Sequence, residues 1–176
     1  MPAPDLPRAN IECKLRLRDP DGARRVARGL GAAHAGLLEQ EAVFYAHPDL
    51  RLKRRATVGR PAEWILYSRS DDATARASRY ELLTDTEAQT RFDGLGPPIG
   101  TVRKRRELWL LDNVRIHIDH VDGLGDFLEL EAVVGEGHPP ENCRASVDRL
   151  LAALAPVLGE IVPVAYADLL AARPTA

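Results

Sequence analysis

The 176-residue chain carries 24 Lys+Arg against 26 Asp+Glu, a formal net charge of −2, with 45% hydrophobic and 28% charged residues. That length and balance fit one globular domain spanning 1–176 and exclude global disorder. Near-neutral charge and only 5% aromatic residues argue against a nucleic-acid partner, whether held by a basic field or on a stacking platform.

Met1 to Ala9 holds three prolines, Asp5 and Arg8. It lacks the apolar stretch of a signal peptide, and residues 1–9 are expected to be disordered. Asn10 to Arg18 alternates Glu12, Lys14, Arg16 and Arg18 with Ile11, Cys13, Leu15 and Leu17, the period of a strand. Asp19-Pro20 opens a helix to about Leu30, with Gly31 as the stop. Short strands follow at Gln40–Tyr45, Asp49–Ala56 and Glu63–Arg69, then a polar turn of Ser70, Asp71 and Asp72 and a strand at Arg76–Leu83.

Thr84 with Glu87 three residues on is a capping box, so a short helix spans Asp85 to Phe92. A Gly/Pro loop (94–100) precedes three strands, Thr101–Leu110, Asn113–Val121 and Asp126–Val134, joined by Asp112-Asn113 and Asp122-Gly123 turns. Pro139-Pro140 starts a last helix with Val147, Leu150, Leu151 and Leu154 at helical spacing. Ile161 to Leu170 has no clear type. Leu150 to Ala172 is apolar but broken by Pro156, Gly159, Glu160, Pro163 and Asp168, so no membrane span is expected. Cys13 and Cys143 form no CxxC or zinc pattern, which suits a reduced, cytoplasmic setting. About eight sequential strands with a few helices predict an α+β chain: an antiparallel barrel with helices outside.

The charged faces carry the chemistry. One strand offers Glu12, Lys14 and Arg16, another Arg51, Lys53 and Arg55, another Lys104 and Arg106, the next Arg115, His117 and Asp119, and the last Glu129 and Glu131. Each face alone reads as a solvated barrel exterior. Together they segregate cations from a Glu-x-Glu pair, and all three lysines of the chain fall among them. The sharper expectation is a polar barrel interior: carboxylates on one wall for a divalent metal, Lys and Arg on the others for an anion such as polyphosphate.

Asn10-Ile11-Glu12-Cys13-Lys14, Arg51 to Arg55, Lys104 to Arg106 and the run Arg115 to Glu131 (RIHIDHVDGLGDFLELE) resemble the CYTH family of class IV adenylyl cyclases and thiamine triphosphatase. The resemblance covers about Asn10 to Leu170. It implies an eight-stranded antiparallel triphosphate tunnel, Mg²⁺ or Mn²⁺, and a small-molecule polyphosphate substrate, in a monomer or homodimer with no nucleic-acid or membrane partner. It implies metal-binding acids at Glu12, Glu129 and Glu131, with Asp119 a further one. Lys14, Arg51, Lys53, Lys104, Arg106 and Arg115 match its phosphate-binding cations; Arg16 and His117 share those faces. Glu12, Lys14, Glu129 and Glu131 are the residues expected to carry catalysis.

The chain also departs from that pattern. The family reads E-x-E-x-K where this chain has Asn10, and relatives often carry Q-x-D-T-Y-F where Gln40 is followed by Glu41, Ala42, Val43, Phe44 and Tyr45. Arg55 and His120 stand where relatives often have acids. Three readings follow: metal-dependent hydrolysis or cyclisation of a nucleoside triphosphate or other organic polyphosphate; the same tunnel acting on a prenyl-type diphosphate, suggested by Ala42, Val43 and Phe44; or a non-catalytic phosphate-ligand module. Gly94-x-Gly96 and Gly123-x-Gly125 lack the spacing of a phosphate loop and read as turns. His117 and His120 fall on opposite strand faces, so no joint zinc site is expected. Tyr67 and Arg69 share a parity that would face the tunnel, whereas Cys13, Trp64 and Trp109 read as packing residues.

Overall fold

The computed structural model describes residues 6–69 and 75–173, so the expected turn at 70–72 lies outside the described residues, as does the side chain of Arg69. Eight strands are β1 (Arg8–Leu17), β2 (Ala33–Tyr45), β3 (Arg51–Thr57), β4 (Glu63–Arg69), β5 (Arg76–Leu83), β6 (Pro98–Leu111), β7 (Val114–Val121) and β8 (Gly125–Val133). They pair in the order β5-β4-β3-β2-β6-β7-β8-β1, and β1 pairs back onto β5. The sheet is therefore a closed antiparallel barrel, and closure removes its edges. A ninth strand, β9 (Leu158–Ile161), adds to β1 at Leu15 and Leu17, beyond the reach of β5, which meets β1 only from Arg8 to Glu12.

Four helices pack outside: α1 (Pro20–Gly29), α2 (Asp85–Arg91), α3 (Pro140–Leu154) and α4 (Tyr166–Ala171). Asp19 caps α1 by accepting from Gly22 N at 2.8 Å, with Pro20 in the first turn. Thr84 and Glu87 close the expected box on α2. No helix among the described residues is long and apolar enough to cross a membrane.

The main apolar core lies outside the barrel wall, while the inward-facing Val102, Val121 and Phe127 form a smaller cluster with Val162 and Tyr166. Ile11, Cys13, Leu15 and Leu17 of β1, Val114, Ile116 and Ile118 of β7, and Leu128 and Leu130 of β8 pack beneath Ala23 and Ala27 of α1 and Cys143, Val147, Leu150 and Leu154 of α3. A second cluster places Leu52, Trp64, Leu66 and Leu83 around Ala88 of α2. Each fully buried leucine contributes about 1.5–3 kcal/mol. These positions have the opposite parity to Glu12, Lys14, Lys53, Lys104, Arg106, Arg115, Glu129 and Glu131, so the period of two turns those residues inward.

Strand β6 begins at Pro98, inside the expected loop, and two further boundaries differ more from expectation. Residues 6–9 are ordered rather than disordered: Leu6 is buried in the α2 cluster and β1 begins at Arg8. β2 starts at Ala33, seven residues before the expected Gln40, because Ala33 to Glu39 pair with Leu110 to Arg105 of β6.

Candidate active site

Inside the barrel, even-numbered residues of β1, β2, β5 and β6 and odd-numbered residues of β3, β7 and β8 line a cavity of about 170 Å³. It is bordered by Asn10, Glu12, Lys14, Lys53, Arg55, Tyr67, Tyr80, Lys104, Arg106, Arg115, Glu129 and Glu131. The cavity shares Gln40, Arg55, Leu82, Arg106, Arg115 and Glu131 with a wider one of about 520 Å³. That wider space is lined also by Leu38, Leu108 and the β3–β4 turn, Arg60 to Ala62, and forms a mouth at one end of the barrel.

The other end is closed by the segment from Val162 to Ala171. Lys14 Nζ donates to Val164 O, Arg76 Nη1 to Pro163 O, and Arg51 Nη1 to Asp168 at 2.9 Å. Tyr166 enters the barrel, and its hydroxyl donates to Asp119 at 3.1 Å. Its ring stands 4.3 Å from Lys14 Nζ and packs edge-on against Phe127.

Asp119 anchors this closed end. Arg106 reaches both of its oxygens at 2.6 Å, and Lys104 Nζ donates at 3.0 Å. Burial alone would raise the Asp119 carboxyl, but the Arg106 and Lys104 charges outweigh it and hold it well below the ordinary range. Both oxygens of Asp119, expected as a metal ligand, are engaged by side chains, and it is the counter-ion of two tunnel cations.

Toward the mouth the arrangement changes. Arg106 Nη2 also donates to Glu129, and Arg115 Nη2 lies 3.1 Å from Glu131 Oε2. The Asn10 amide carbonyl, in its hydrogen-bonding orientation, accepts from Arg115 at 3.0 Å, so the neutral amide steers this cation without neutralising it. His117 Nδ1 lies 3.6 Å from Glu129 Oε2 and 3.9 Å from Glu131 Oε1 and has no hydrogen-bond partner. Burial, aided by the Arg106 charge, pushes the His117 imidazole below its ordinary value and keeps it neutral. Burial opposes ionisation of Glu129 and Glu131. Arg106 chiefly holds Glu129 well below the carboxylate range, and Glu131 is lowered as well. Lys53, deeper in the tunnel between the Phe44 and Tyr67 rings, is lowered to about 7 by burial and by the Arg55 charge.

The barrel therefore brings Glu12, Lys14, Lys53, Lys104, Arg106, Arg115, His117, Glu129 and Glu131 around one space. Two expected phosphate cations stand elsewhere. Arg16 donates to Leu124 O and lies over Phe127, and Arg51 is 42% exposed beside Asp168. Glu12 faces the cavity, with Arg76 Nε of β5 at 3.6 Å from its carboxylate. Sequence reasoning missed Arg76 and Tyr166. Arg76 carries the inward parity of its strand, a signal that was readable, whereas nothing in the C-terminal segment marked Tyr166. Among the described residues, one set of three potential ligand groups clusters: His117, Glu129 and Glu131, whose ligand atoms lie within 4.8 Å of one another. Two carboxylates beside a neutral imidazole fit a divalent ion.

The closed eight-stranded antiparallel barrel, its interior lined by cations and an acidic pair, is a tunnel-type barrel. The CYTH domain matches residues 8–154, and the chain belongs to the CYTH family. A protein from Pyrococcus horikoshii OT3 aligns at 25% identity and a TM-score of 0.70, covering 91% of this chain and 98% of that one. A protein from Vibrio parahaemolyticus, provisionally assigned as an adenylate cyclase, aligns at 18% identity and 0.69, covering 93% and 98%. A Hippeastrum protein first taken for an adenylyl cyclase, with a dominant triphosphatase activity, aligns at 16% identity and 0.58, covering 89% and 92%. Comparison with curated protein sequences returned no match.

Proposed function

We propose that this chain is a divalent-metal-dependent enzyme acting on a triphosphate-bearing small molecule inside the barrel. One observation carries the reading: cations and acids that face each other across the cavity, while the main apolar core lies outside the wall. Lys14, Lys53, Lys104 and Arg115 come from four different strands and present dispersed donors to phosphate oxygens. Arg106, fixed by Asp119, holds Glu129 in place. Glu129 and Glu131 hold the metal, with Glu12 on the neighbouring strand. A bound divalent ion would neutralise phosphate charge and polarise the reacting phosphoryl oxygen. The closed end sets how deep the phosphate chain enters, and the organic group lies at the mouth beside Leu38, Leu82 and Leu108.

Both cyclisation and hydrolysis occur in the descriptions of the structural relatives, and the same tunnel suits either. A ³¹P NMR screen of ATP, thiamine triphosphate and inorganic triphosphate with Mg²⁺ or Mn²⁺ separates them. Pyrophosphate with a cyclic product marks cyclisation; orthophosphate marks hydrolysis. The reading expects turnover of at least one substrate, lost in Glu129→Gln. Binding without turnover under every condition would leave a phosphate-ligand module instead.

A further inference from the structure

His117 is a buried tunnel residue whose chemistry the reading above leaves unused. Its side chain is 5% exposed, and its Nδ1 is buried without a hydrogen-bond partner. A buried polar atom without a partner is destabilising, so the fold holds this nitrogen in place against a penalty. The nitrogen points between two carboxylate oxygens, at 3.6 Å and 3.9 Å. Those separations are too long for hydrogen bonds. They are close to what one ion requires: two ligand atoms each bound at about 2.1 Å lie about 3.0–3.4 Å apart. The ligand atoms of His117, Glu129 and Glu131 all lie within 4.8 Å of one another, so side-chain closure would bring them onto a common centre.

The second ligand atoms support the same geometry. Glu131 meets Arg115 through Oε2 and turns Oε1 toward His117. Arg106 Nη2 donates to Glu129 Oε2, the oxygen that also faces His117, and its charge keeps that carboxylate ionised for a metal. The four other histidines stand in different settings: His34 against Trp109, His47 against Phe92, His120 with Asp126, and His138 near Asp112.

We propose that His117 is a metal ligand, so that the tunnel ion is held by a mixed set of one imidazole and two carboxylates, His117, Glu129 and Glu131. An imidazole in the set favours a first-row transition ion such as Mn²⁺ over Mg²⁺, which takes oxygen ligands. This rests on the metal-dependent reading above and narrows its metal.

The test is pulsed EPR of the full chain, stripped of metal, given less than one equivalent of Mn²⁺ and a tenfold excess of Mg²⁺. The expected spectrum shows Mn²⁺ bound and coupled to one ¹⁴N nucleus. Growth with ¹⁵N-histidine converts that coupling to the ¹⁵N pattern in the unaltered protein. His117→Gln removes it and weakens Mn²⁺ affinity at least tenfold. Bound Mn²⁺ with no nitrogen coupling, coupling unchanged by ¹⁵N-histidine, or displacement of Mn²⁺ by equimolar Mg²⁺ would each overturn the proposal. Triphosphate turnover without nitrogen coupling would remove His117 from the metal and leave the proposed function intact. Nitrogen coupling with no turnover of any triphosphate would do the reverse.

Discussion

The two ends of the tunnel are built from the same residue types and do opposite things. At the closed end every charge meets a partner: Asp119 takes Arg106, Lys104 and Tyr166, and Lys14 reaches Val164 O. At the mouth, buried polar atoms remain without partners, among them His117 Nδ1, Arg115 Nε, Arg55 Nε and Gln40 Oε1. The closed end therefore behaves as structure and the mouth as a site. A buried ion pair stabilises only when its hydrogen bonds are complete, which is the condition Asp119 meets and His117 does not.

The comparison can be broken most severely at Asp119. Asp119→Asn leaves Arg106 buried beside a neutral amide, and loss of about 3–5 kcal/mol is expected in denaturant unfolding. A loss under 1 kcal/mol would mean that the closed end is not held by its charges. Next in size is phosphate binding at the inner wall. Lys104→Ala should weaken inorganic triphosphate binding about 10- to 100-fold in calorimetry, or about 1.4–2.8 kcal/mol, and should leave Glu129 in place.

Lys53 supplies the pH dependence. Its free-state value of about 7 lies below the ordinary lysine value, and a bound phosphate raises it. Below pH 7 the side chain is already charged and contributes no pH dependence. Above pH 7 binding must take up a proton, so affinity falls as pH rises, by up to about tenfold per unit. Lys53→Arg should flatten that slope; an unchanged slope would place the titration elsewhere.

Smaller still, Tyr166→Phe removes one hydrogen bond to Asp119 and should cost about 0.5–1.5 kcal/mol of stability with little change in triphosphate affinity. The smallest effect belongs to Arg103, one position from Lys104 on the outer face. Its pair with Glu41 is open to solvent on both sides, 68% and 41% exposed. Arg103→Ala should cost less than about 1 kcal/mol and leave binding unchanged. Equal losses in Arg103→Ala and Lys104→Ala would contradict the inside–outside assignment.

The parity that separates Arg103 from Lys104 was legible in the sequence, because strand period alone places Glu12, Lys14, Lys53, Lys104, Arg106, Arg115, Glu129 and Glu131 on one side. The barrel followed from the same alternation. What escaped depends on long-range pairing. Ala33 to Glu39 show no burial alternation of use to a reader, since that half of β2 is largely exposed and is held by β6. The Arg76–Glu12 contact needs β5 to close onto β1 across more than sixty residues. Helix α4 is only six residues long and exists through docking, with Tyr166 in the barrel and Asp168 accepting from Ala165 N and Arg51. Arg16 and Arg51 carried the right parity but lie past the closed end, a depth that alternation does not encode.

The most direct test of the account is a crystal structure with Mn²⁺ and inorganic triphosphate. It predicts anomalous density for Mn²⁺ beside Glu129 and Glu131, and a triphosphate within the barrel against Lys53, Lys104 and Arg115. Triphosphate bound only on the outer face, with an empty tunnel at saturating ligand, would contradict it.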